Sequence, residues 1–359
     1  MILQTTTSTA DAVPGWQAID PPSELRARAL PRIASEDVPA CPVCGKSHYK
    51  TFAVGFDYEL LTCSNPWRFV HCEACQNVWL NPRPAVNTLS TIYPASYYAY
   101  NYDAAVHPVA RWGKQLLDRL KMSAITKRLG RKPSRYLDVG CGNGRFLRAL
   151  ERDGLPRGCL YGIELDQGIV KQLSQEGYQA YCEPVEECER IPTGQIDLIT
   201  MFHVIEHVRD PAIVLRKLAG WLSPDGVLAL ETPNRDSLDA RIFQSGLWGG
   251  YHIPRHWHIF TPENLRRLLE QAGLEVIAVR YQPGHSFWLY SFHHALRYAT
   301  RPLPALARWF NPFGGLLPLL MFFTGLDVVR AALRQRTSAM LILARRRMPS
   351  RHAGPQGAR

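Results

Sequence analysis

Acidic residues and lysine are almost missing from the last eighty residues of this 359-residue chain. Positions 280–359 hold twelve arginines, no lysine, no glutamate and one aspartate, Asp327. This excess of eleven equals the formal net charge of the whole chain, so residues 1–279 balance to zero. Basic charge confined to one apolar, aromatic end is unlike the broad positive surface with which proteins bind nucleic acid. A different partner is therefore expected for the C-terminal part.

Two further features are missing. No N-terminal segment joins a basic flank to an apolar core, as a secretory signal does. The nine cysteines comprise two C-x-x-C pairs and five scattered residues, which is not the framework of a disulfide-linked secreted domain. We therefore expect a reducing cytoplasmic location. Residues 1–38, rich in Thr, Ala, Pro and Ser, are expected to form a mobile tail.

The first compact unit is expected at residues 39–84, around the two C-x-x-C pairs, which 27 residues separate. Thiolates two residues apart can grip one ion from a tight knuckle, and two knuckles complete a tetrahedral set of sulfurs. We predict a closed structural zinc site of zinc-ribbon type; four unrelated buried cysteines are the alternative. The predicted ligands are Cys41, Cys44, Cys72 and Cys75. Residues that could replace one of them are Cys63, His48 and His71.

A linker and a leading helix are expected at residues 85–130. After the Asn81-Pro-Arg-Pro84 sequence come tyrosines that could cover a ligand pocket or pack between domains. They are Tyr93, Tyr97, Tyr98, Tyr100 and Tyr102. Apolar residues at helical spacing then predict a helix over 107–130.

The most informative motif is Tyr136-Leu-Asp-Val-Gly-Cys-Gly-Asn-Gly-Arg-Phe146. A short apolar run ends at Asp138, three alternating glycines follow, and a helical pattern starts at once. Glycines let the backbone pass close to a ligand with no Cβ in the way. A second apolar run, about twenty residues further on, ends in Glu164, where an acid can accept hydrogen bonds from ribose hydroxyls. The spacing G-x-G-x-G differs from the G-x-G-x-x-G of nicotinamide and flavin binders.

Strands and helices alternate along the rest of the chain, which predicts a parallel, doubly wound α/β sheet. The predicted core covers residues 131–284. The predicted strands are 136–140, 160–164, 179–182, 196–202, 226–232 and 274–281. The predicted helices are about 144–153, 167–176, 210–222 and 262–272.

Together with His203-Val-Ile-Glu-His-Val-Arg-Asp-Pro211, which follows the strand at 196–202, these motifs resemble the class I S-adenosylmethionine-dependent methyltransferases. The sugar- and polysaccharide-modifying and ubiquinone-pathway enzymes are the similar group. The resemblance covers roughly residues 110–280 and implies a Rossmann-like seven-stranded sheet, closed by an antiparallel strand at 337–346. It also implies which residues face the cofactor: Asp138, Gly140, Cys141, Gly142, Gly144, Glu164, Leu165, Glu183 and His203.

The His203–His207 segment has three interpretations. An inverted zinc-protease motif is excluded, because that motif lies inside a helix and this segment follows a strand. A divalent-cation site is the second, since ubiquinone-pathway and small-RNA methyltransferases have a similar E-x-x-E-H; here His203 replaces the first acid. In the third, Glu206 and His207 bond to neighbouring loops. A base role for one histidine is a further alternative to the last two.

A second cluster, Trp248-Gly-Gly-Tyr-His-Ile-Pro-Arg-His-Trp-His258, precedes a predicted helix start at Thr261. His252 or His256 could take a proton from a substrate hydroxyl, and Arg255 could bind a phosphate or carboxylate. Capping and packing contacts are the alternative. The candidate catalytic residues are His203, His207 and His256.

Residues 285–336 interrupt the expected sheet. From Trp309 to Leu326 eighteen residues carry no charge, but six prolines, glycines and asparagines argue against one straight membrane span. The segment is expected to lie on a membrane surface, cover a hydrophobic substrate, or pack on the core as inserted helices. A basic tail, 347–359, ends the chain.

The sequence thus predicts a methyltransferase that uses S-adenosylmethionine and structural zinc. Its acceptor would be a small molecule, glycan or lipid-linked glycan, methylated at a hydroxyl oxygen. An RNA methyltransferase that binds RNA through the zinc module is one alternative, although residues 41–75 contain few basic side chains. A non-catalytic scaffold with the same fold is the other.

Overall fold

The computed structural model describes residues 21–94, 108–298, 301–312 and 314–347. Its strands, in chain order, are β1 (Ser35–Glu36), β2 (Tyr49–Gly55), β3 (Trp67–Cys72), β4 (Val78–Leu80), β5 (Arg83–Pro84), β6 (Tyr136–Val139), β7 (Leu160–Glu164), β8 (Gln179–Cys182), β9 (Ile196–Phe202), β10 (Leu222–Pro233), β11 (His258–Ile259), β12 (Leu274–Gln282) and β13 (Ala339–Arg346). Its α-helices are α1 (Ser23–Arg26), α2 (Leu89–Ile92), α3 (Pro108–Leu129), α4 (Arg145–Arg152), α5 (Gln167–Gln175), α6 (Pro211–Trp221), α7 (Leu238–Ile242), α8 (Pro262–Gln271), α9 (His285–Tyr298), α10 (Pro304–Ala307) and α11 (Leu317–Ala332).

A seven-stranded sheet forms the centre, in the order β12-β13-β10-β9-β6-β7-β8. β10, β9, β6, β7 and β8 run parallel, whereas β13 lies antiparallel between β10 and β12. The predicted doubly wound sheet and its antiparallel last strand are confirmed. The first six residues of β9 are buried, as expected for a central strand covered on both faces.

Several helices around the main sheet begin at a capping side chain, whereas α4, after the glycine motif, begins at Gly144 without one. Asp210 accepts hydrogen bonds from the backbone amides of Ala212 and Ile213, and a proline follows it at the start of α6. Thr261 accepts one from Asn264, which confirms the predicted start of α8. Such caps satisfy backbone donors that have no partner inside the helix. Because the central strands are parallel, the strand-to-helix turns lie at the carboxyl end of the sheet, where ligands of this fold class bind.

A smaller antiparallel sheet carries the cysteine pairs, in the order β11-β4-β3-β2. Its edge strand β11 comes from the second histidine cluster, more than 170 positions after β4, and pairs through His258 with Trp79. The side-chain amide of Asn264 donates to the carbonyl of Cys75 at 2.9 Å. The cysteine-bearing sheet is therefore built partly from the 248–258 segment, which follows the main-sheet strand β10.

Part of the expected mobile tail, residues 1–38, is packed on the protein. Residues 1–20 lie outside the described part of the chain. Leu25 is buried with Phe56 and Tyr298, and β1 pairs with β5. Residues 21–38 therefore contact the folded chain at these points, because isolated apolar residues such as Leu25 find partners only there.

The segment 285–336 forms helices α9, α10 and α11 between β12 and β13. Asp327 of α11 is buried, and its carboxylate accepts from the Gly284 amide at 2.9 Å and the Ser338 hydroxyl at 3.0 Å. These contacts fix the insertion to both strands that flank it. In the described part of the chain, no helix has the length and apolar character required to cross a bilayer.

Candidate functional site

The four predicted zinc ligands converge. The Sγ atoms of Cys41 and Cys75 lie 3.5 Å apart, as do those of Cys44 and Cys72, and all four lie within 4.8 Å of one another. Sulfurs bound tetrahedrally to zinc at about 2.3 Å are about 3.8 Å apart, so the set fits that ion. Each knuckle turns through a residue of positive φ directly after its second cysteine, Gly45 in one and Gln76 in the other.

The proposed substitute ligand Cys63 lies elsewhere. It is fully buried beside Trp67 in the apolar cluster under the small sheet, where burial raises the pKa of its thiol to about 11. The thiol is therefore a core residue. The four-cysteine set needs neither it nor a histidine.

Replacement of Cys72 by serine is expected to remove one zinc ion per chain and to lower the thermal midpoint, because the metal supplies part of the folding free energy of this sheet. Metal analysis after gel filtration measures the loss, and Cys63→Ser is the matched control that keeps the ion. Zinc retained in full by the Cys72 variant would contradict the assignment.

The glycine motif forms a tight turn after β6. Gly140, Gly142 and Gly144 all have positive φ, between 50° and 77°. A Cβ on Gly140 would lie 2.3 Å from Cγ2 of Val204, whereas one on Gly142 would meet no atom within 4 Å. The turn is thus packed tightly against the segment after β9 on one side and open on the other. An open backbone cradle of this kind fits the predicted nucleotide ligand.

Glu164 lies at the open side of this turn, as the sequence predicted. Its Oε2 accepts from the amide of Gly142 at 2.9 Å, and its Oε1 accepts from the amide of Leu165. The Leu165 side chain is 62 % exposed beside it. Cys141 is buried, with Sγ close to Gly162, so only its backbone faces the turn.

Asp138 is buried beneath the turn and accepts a hydrogen bond from the Thr200 hydroxyl at 2.7 Å. Burial raises the pKa of this carboxyl to about 7; the Thr200 bond opposes the rise, and the charge of Glu164 adds to it. A carboxyl that can ionise near neutral pH beneath this turn favours a positively charged ligand. Glu183, at the end of the neighbouring β8, is paired with Arg190 at 2.9 Å.

His203 stands at the end of β9 between two carboxylates. Its Nδ1 lies 3.3 Å from Oε1 of Glu206 and its Nε2 lies 3.4 Å from Oε1 of Glu231. Desolvation opposes the charged imidazole, but the two carboxylates outweigh it and raise the pKa of His203 to about 9. Lys121 of α3 donates to Glu231 at 2.6 Å and so holds the leading helix against this site.

Glu206, His207 and His256 form the second set of potential metal ligands, with ligand atoms within 4.8 Å of one another. Glu206 is fully buried, and in the described part of the chain neither carboxylate oxygen has a hydrogen-bond partner. Burying a charge without such bonds is costly. The charged imidazole of His203 offsets part of this cost, and a cation bound by all three side chains would offset more. The His203 contact at 3.3 Å has the distance of an ion pair without hydrogen-bond geometry.

Both imidazoles in this set direct one nitrogen away from Glu206. Nδ1 of His207 lies 2.9 Å from the Arg255 carbonyl, and Nδ1 of His256 lies 2.8 Å from the Gly250 carbonyl. A carbonyl only accepts, so each Nδ1 carries the proton and each Nε2 carries a lone pair. Carbonyls that fix the tautomer in this way are typical of the surroundings of metal-bound histidines.

The prediction that Arg255 binds a substrate anion is wrong. Its guanidinium is fully buried and forms a bidentate pair with Asp57, at 3.0 and 2.9 Å. His252 is also engaged within the protein, since its Nδ1 lies 2.7 Å from the buried Glu59. Both residues join the cysteine-bearing part of the chain to the 248–258 loop. The packing alternative is therefore correct for these two.

Several residues in or around the site were missed by the sequence interpretation: Lys121 and Glu231 beside His203, and Asp57 and Glu59, which hold the 248–258 loop. None belongs to a recognisable motif, and each has a partner more than 100 positions away. Of the five tyrosines, Tyr93 contacts Nδ1 of His207 through its hydroxyl at 3.0 Å. The other four lie outside the described residues.

Comparison with known proteins supports the fold and chemistry. Residues 111–279 match a family model described as a methyltransferase domain. Ubiquinone biosynthesis O-methyltransferase of Bordetella avium is 30% identical over 186 residues, which are 46% of this chain and 75% of that protein. The protein of that name from Xanthomonas oryzae pv. oryzae is 31% identical over 184 residues, 46% of this chain and 74% of the relative. A Burkholderia thailandensis 1,6-didemethyltoxoflavin-N1-methyltransferase structure aligns with 82% of this chain and 99% of its own, at 15% identity and a TM-score of 0.44. The chain belongs to the class I S-adenosylmethionine-dependent methyltransferases.

Proposed function

We propose that this methyltransferase acts on a hydroxyl oxygen of a small acceptor: a phenol, a sugar, or a lipid-linked glycan. The observation that carries the proposal is the buried Glu206 carboxylate, which finds no hydrogen-bond partner among the described residues and is faced by two neutral imidazoles next to the glycine turn. The names of the relatives, which are O-methyltransferases of ubiquinone biosynthesis, agree with an oxygen acceptor.

The glycine turn and the end of β7 are the proposed cofactor site. The backbone of Gly140–Gly144 would lie along the methionine part, Glu164 would bind the ribose, and the exposed Leu165 would contact the adenine. Glu183 would need to leave Arg190 to reach the adenine. When bound, S-adenosylmethionine supplies a methyl group whose bond to sulfur breaks as the bond to the acceptor oxygen forms.

The protein would hold the acceptor oxygen in line with the methyl–sulfur bond, exclude water and receive the hydroxyl proton. Nε2 of His256 and Oε1 of Glu206 lie 4.0 Å apart and are the groups that can receive it. His203 would position Glu206, because its own ring is held between two carboxylates. The amides of Trp257 and His258 both donate to the Glu206 carbonyl, which ties the 248–258 loop over this site.

In place of this direct proton transfer, Glu206, His207 and His256 would hold a divalent cation, which would act as a Lewis acid on the acceptor oxygen and leave the proton to solvent. Two imidazoles and one carboxylate suit a transition metal better than Mg²⁺, which prefers oxygen ligands.

The test is methyl transfer from labelled S-adenosylmethionine to a cell lysate divided into lipid, glycan and RNA fractions. We expect label in a lipid or glycan fraction. The labelled methyl group should be bound to oxygen as an ether, which mild base does not cleave. Label in RNA would replace this proposal with the RNA alternative. Absence of label in every fraction, with cofactor binding intact, would favour the scaffold.

Cofactor affinity is expected to fall as the pH drops below about 7. Asp138 is protonated there, and a cationic ligand favours its ionised form, so binding must displace a proton. The dissociation constant should rise by up to about tenfold per pH unit below 7 and level off above it. Calorimetry across this range measures the profile. Asp138→Asn is the matched control, and a profile shared by both proteins would contradict the role of Asp138.

A further inference from the structure

The helix α11 exposes its apolar residues and buries its charge. Residues of this helix that face solvent lie on one arc, at spacings of one, three and four, and every one of them is apolar. They are Pro318, Met321, Phe322, Gly325, Val328, Val329 and Ala332, with Leu333 at the helix end. Asp327, by contrast, is 1% exposed and bonded inside the protein. A surface helix of a globular protein has the opposite arrangement.

The exposure of this arc is large. Phe322 is 62% exposed, Met321 59%, Val329 57% and Leu333 65%. The opposite side of the helix packs against the protein: Phe323 stacks on Trp288, with 5.4 Å between the ring centroids. A contiguous apolar face of this kind marks a surface that is covered in the working protein.

Arginines and a tryptophan surround the face. Trp309 is 52% exposed, and its carbonyl accepts from the amide of Leu316 at the start of α11, which places it beside the helix end. Arg308 precedes it and Arg334 follows the other end of the helix, and both are exposed. The only acidic residue of the sequence 285–336 is the buried Asp327. The occupant of the face must therefore combine apolar and anionic groups.

We propose that this face docks on an anionic lipid membrane, with α11 lying flat in the interface. Apolar side chains would enter the acyl boundary, while Trp309 and the arginines would lie at the level of the headgroups. A second copy of the chain fits less well, because a two-fold interface would bring like-charged arginine rims together. The inference concerns binding and does not depend on the proposed acceptor.

The test is sedimentation of the full-length protein with vesicles of phosphatidylcholine, alone or mixed with anionic phosphatidylglycerol. We expect binding to the anionic vesicles that weakens with salt. The double variant Phe322→Ser/Val329→Ser should lower the partition coefficient about tenfold or more, since two apolar anchors are lost. Arg308→Gln/Arg334→Gln should lower it about fivefold for each arginine. Ile242→Ser, an exposed apolar residue of α7, is the matched control and should bind as the parent does.

Three results would overturn the proposal: no sedimentation with anionic vesicles, equal losses in the control variant, or a stable dimer that Phe322→Ser/Val329→Ser dissociates. The last would assign the face to a second copy. Cofactor binding by each variant reports that the main sheet is folded. Because vesicle binding and methyl transfer are measured separately, failure of one leaves the other standing.

Discussion

Replacement of Glu206 by glutamine is expected to lower the turnover of methyl transfer about a hundredfold or more, with cofactor affinity unchanged. The variant keeps the shape of the side chain but removes the charge that His203, His207 and His256 surround. Loss of a metal-ligating or proton-accepting carboxylate acts on the acceptor oxygen and not on the glycine turn. Initial rates with saturating cofactor, together with calorimetry, separate the two effects.

Glu59→Gln is the matched control for this experiment. Glu59 is also a buried carboxylate beside a histidine, His252, but it lies outside the proposed ligand set. It should retain most of the turnover. Equal losses in both variants would mean that Glu206 matters for folding of the loop, and full activity in the Glu206 variant would end its proposed role.

Replacement of Arg255 by leucine is expected to lower the free energy of unfolding by about 3–5 kcal/mol. The change leaves the fully buried Asp57 carboxylate without its bidentate partner, and the Arg255 guanidinium also bonds the Ile92 carbonyl at 2.7 Å. Urea unfolding measures the loss, which should come without any specific loss of acceptor affinity in the folded fraction.

Two further variants serve as controls for this prediction. Arg345→Gln breaks an exposed pair with Glu275 and should cost about 0.5 kcal/mol or less. The double variant Asp57→Leu/Arg255→Leu removes both charges and should recover a large part of the stability. If it is no more stable than Arg255→Leu, unpaired burial of Asp57 is not the cause.

The strands and helices of the main sheet could be predicted because short segments of the sequence specify each of them. The apolar run before Asp138, the alternating glycines and the caps at Asp210 and Thr261 each act on residues within a few positions. Strand-helix alternation leaves few topologies for a parallel sheet, and the resemblance to methyltransferases implied the antiparallel last strand. The two C-x-x-C pairs are local in the same sense, and their convergence was predicted.

The acceptor side of the site could be predicted only in part. The sequence placed His203, His207 and His256 in candidate roles, and the structure brings His207 and His256 to Glu206. The sequence could not reveal that Arg255 forms an ion pair with Asp57, because the two residues are 198 positions apart. Ion pairs between residues so far apart in sequence form only when β11 joins the small sheet. No periodic pattern in the sequence predicts that this strand joins it.

The most direct test of the account is the number of Mn²⁺ ions bound per chain at equilibrium dialysis, in the parent protein and in Glu206→Gln. Mn²⁺ suits imidazole and carboxylate ligands and competes poorly for the four thiolates that hold zinc. We expect one ion in the parent chain and none in the variant, with zinc content equal in both. Equal Mn²⁺ binding by the two proteins, or none by either, would contradict a cation held by Glu206, His207 and His256 at the end of the central strands.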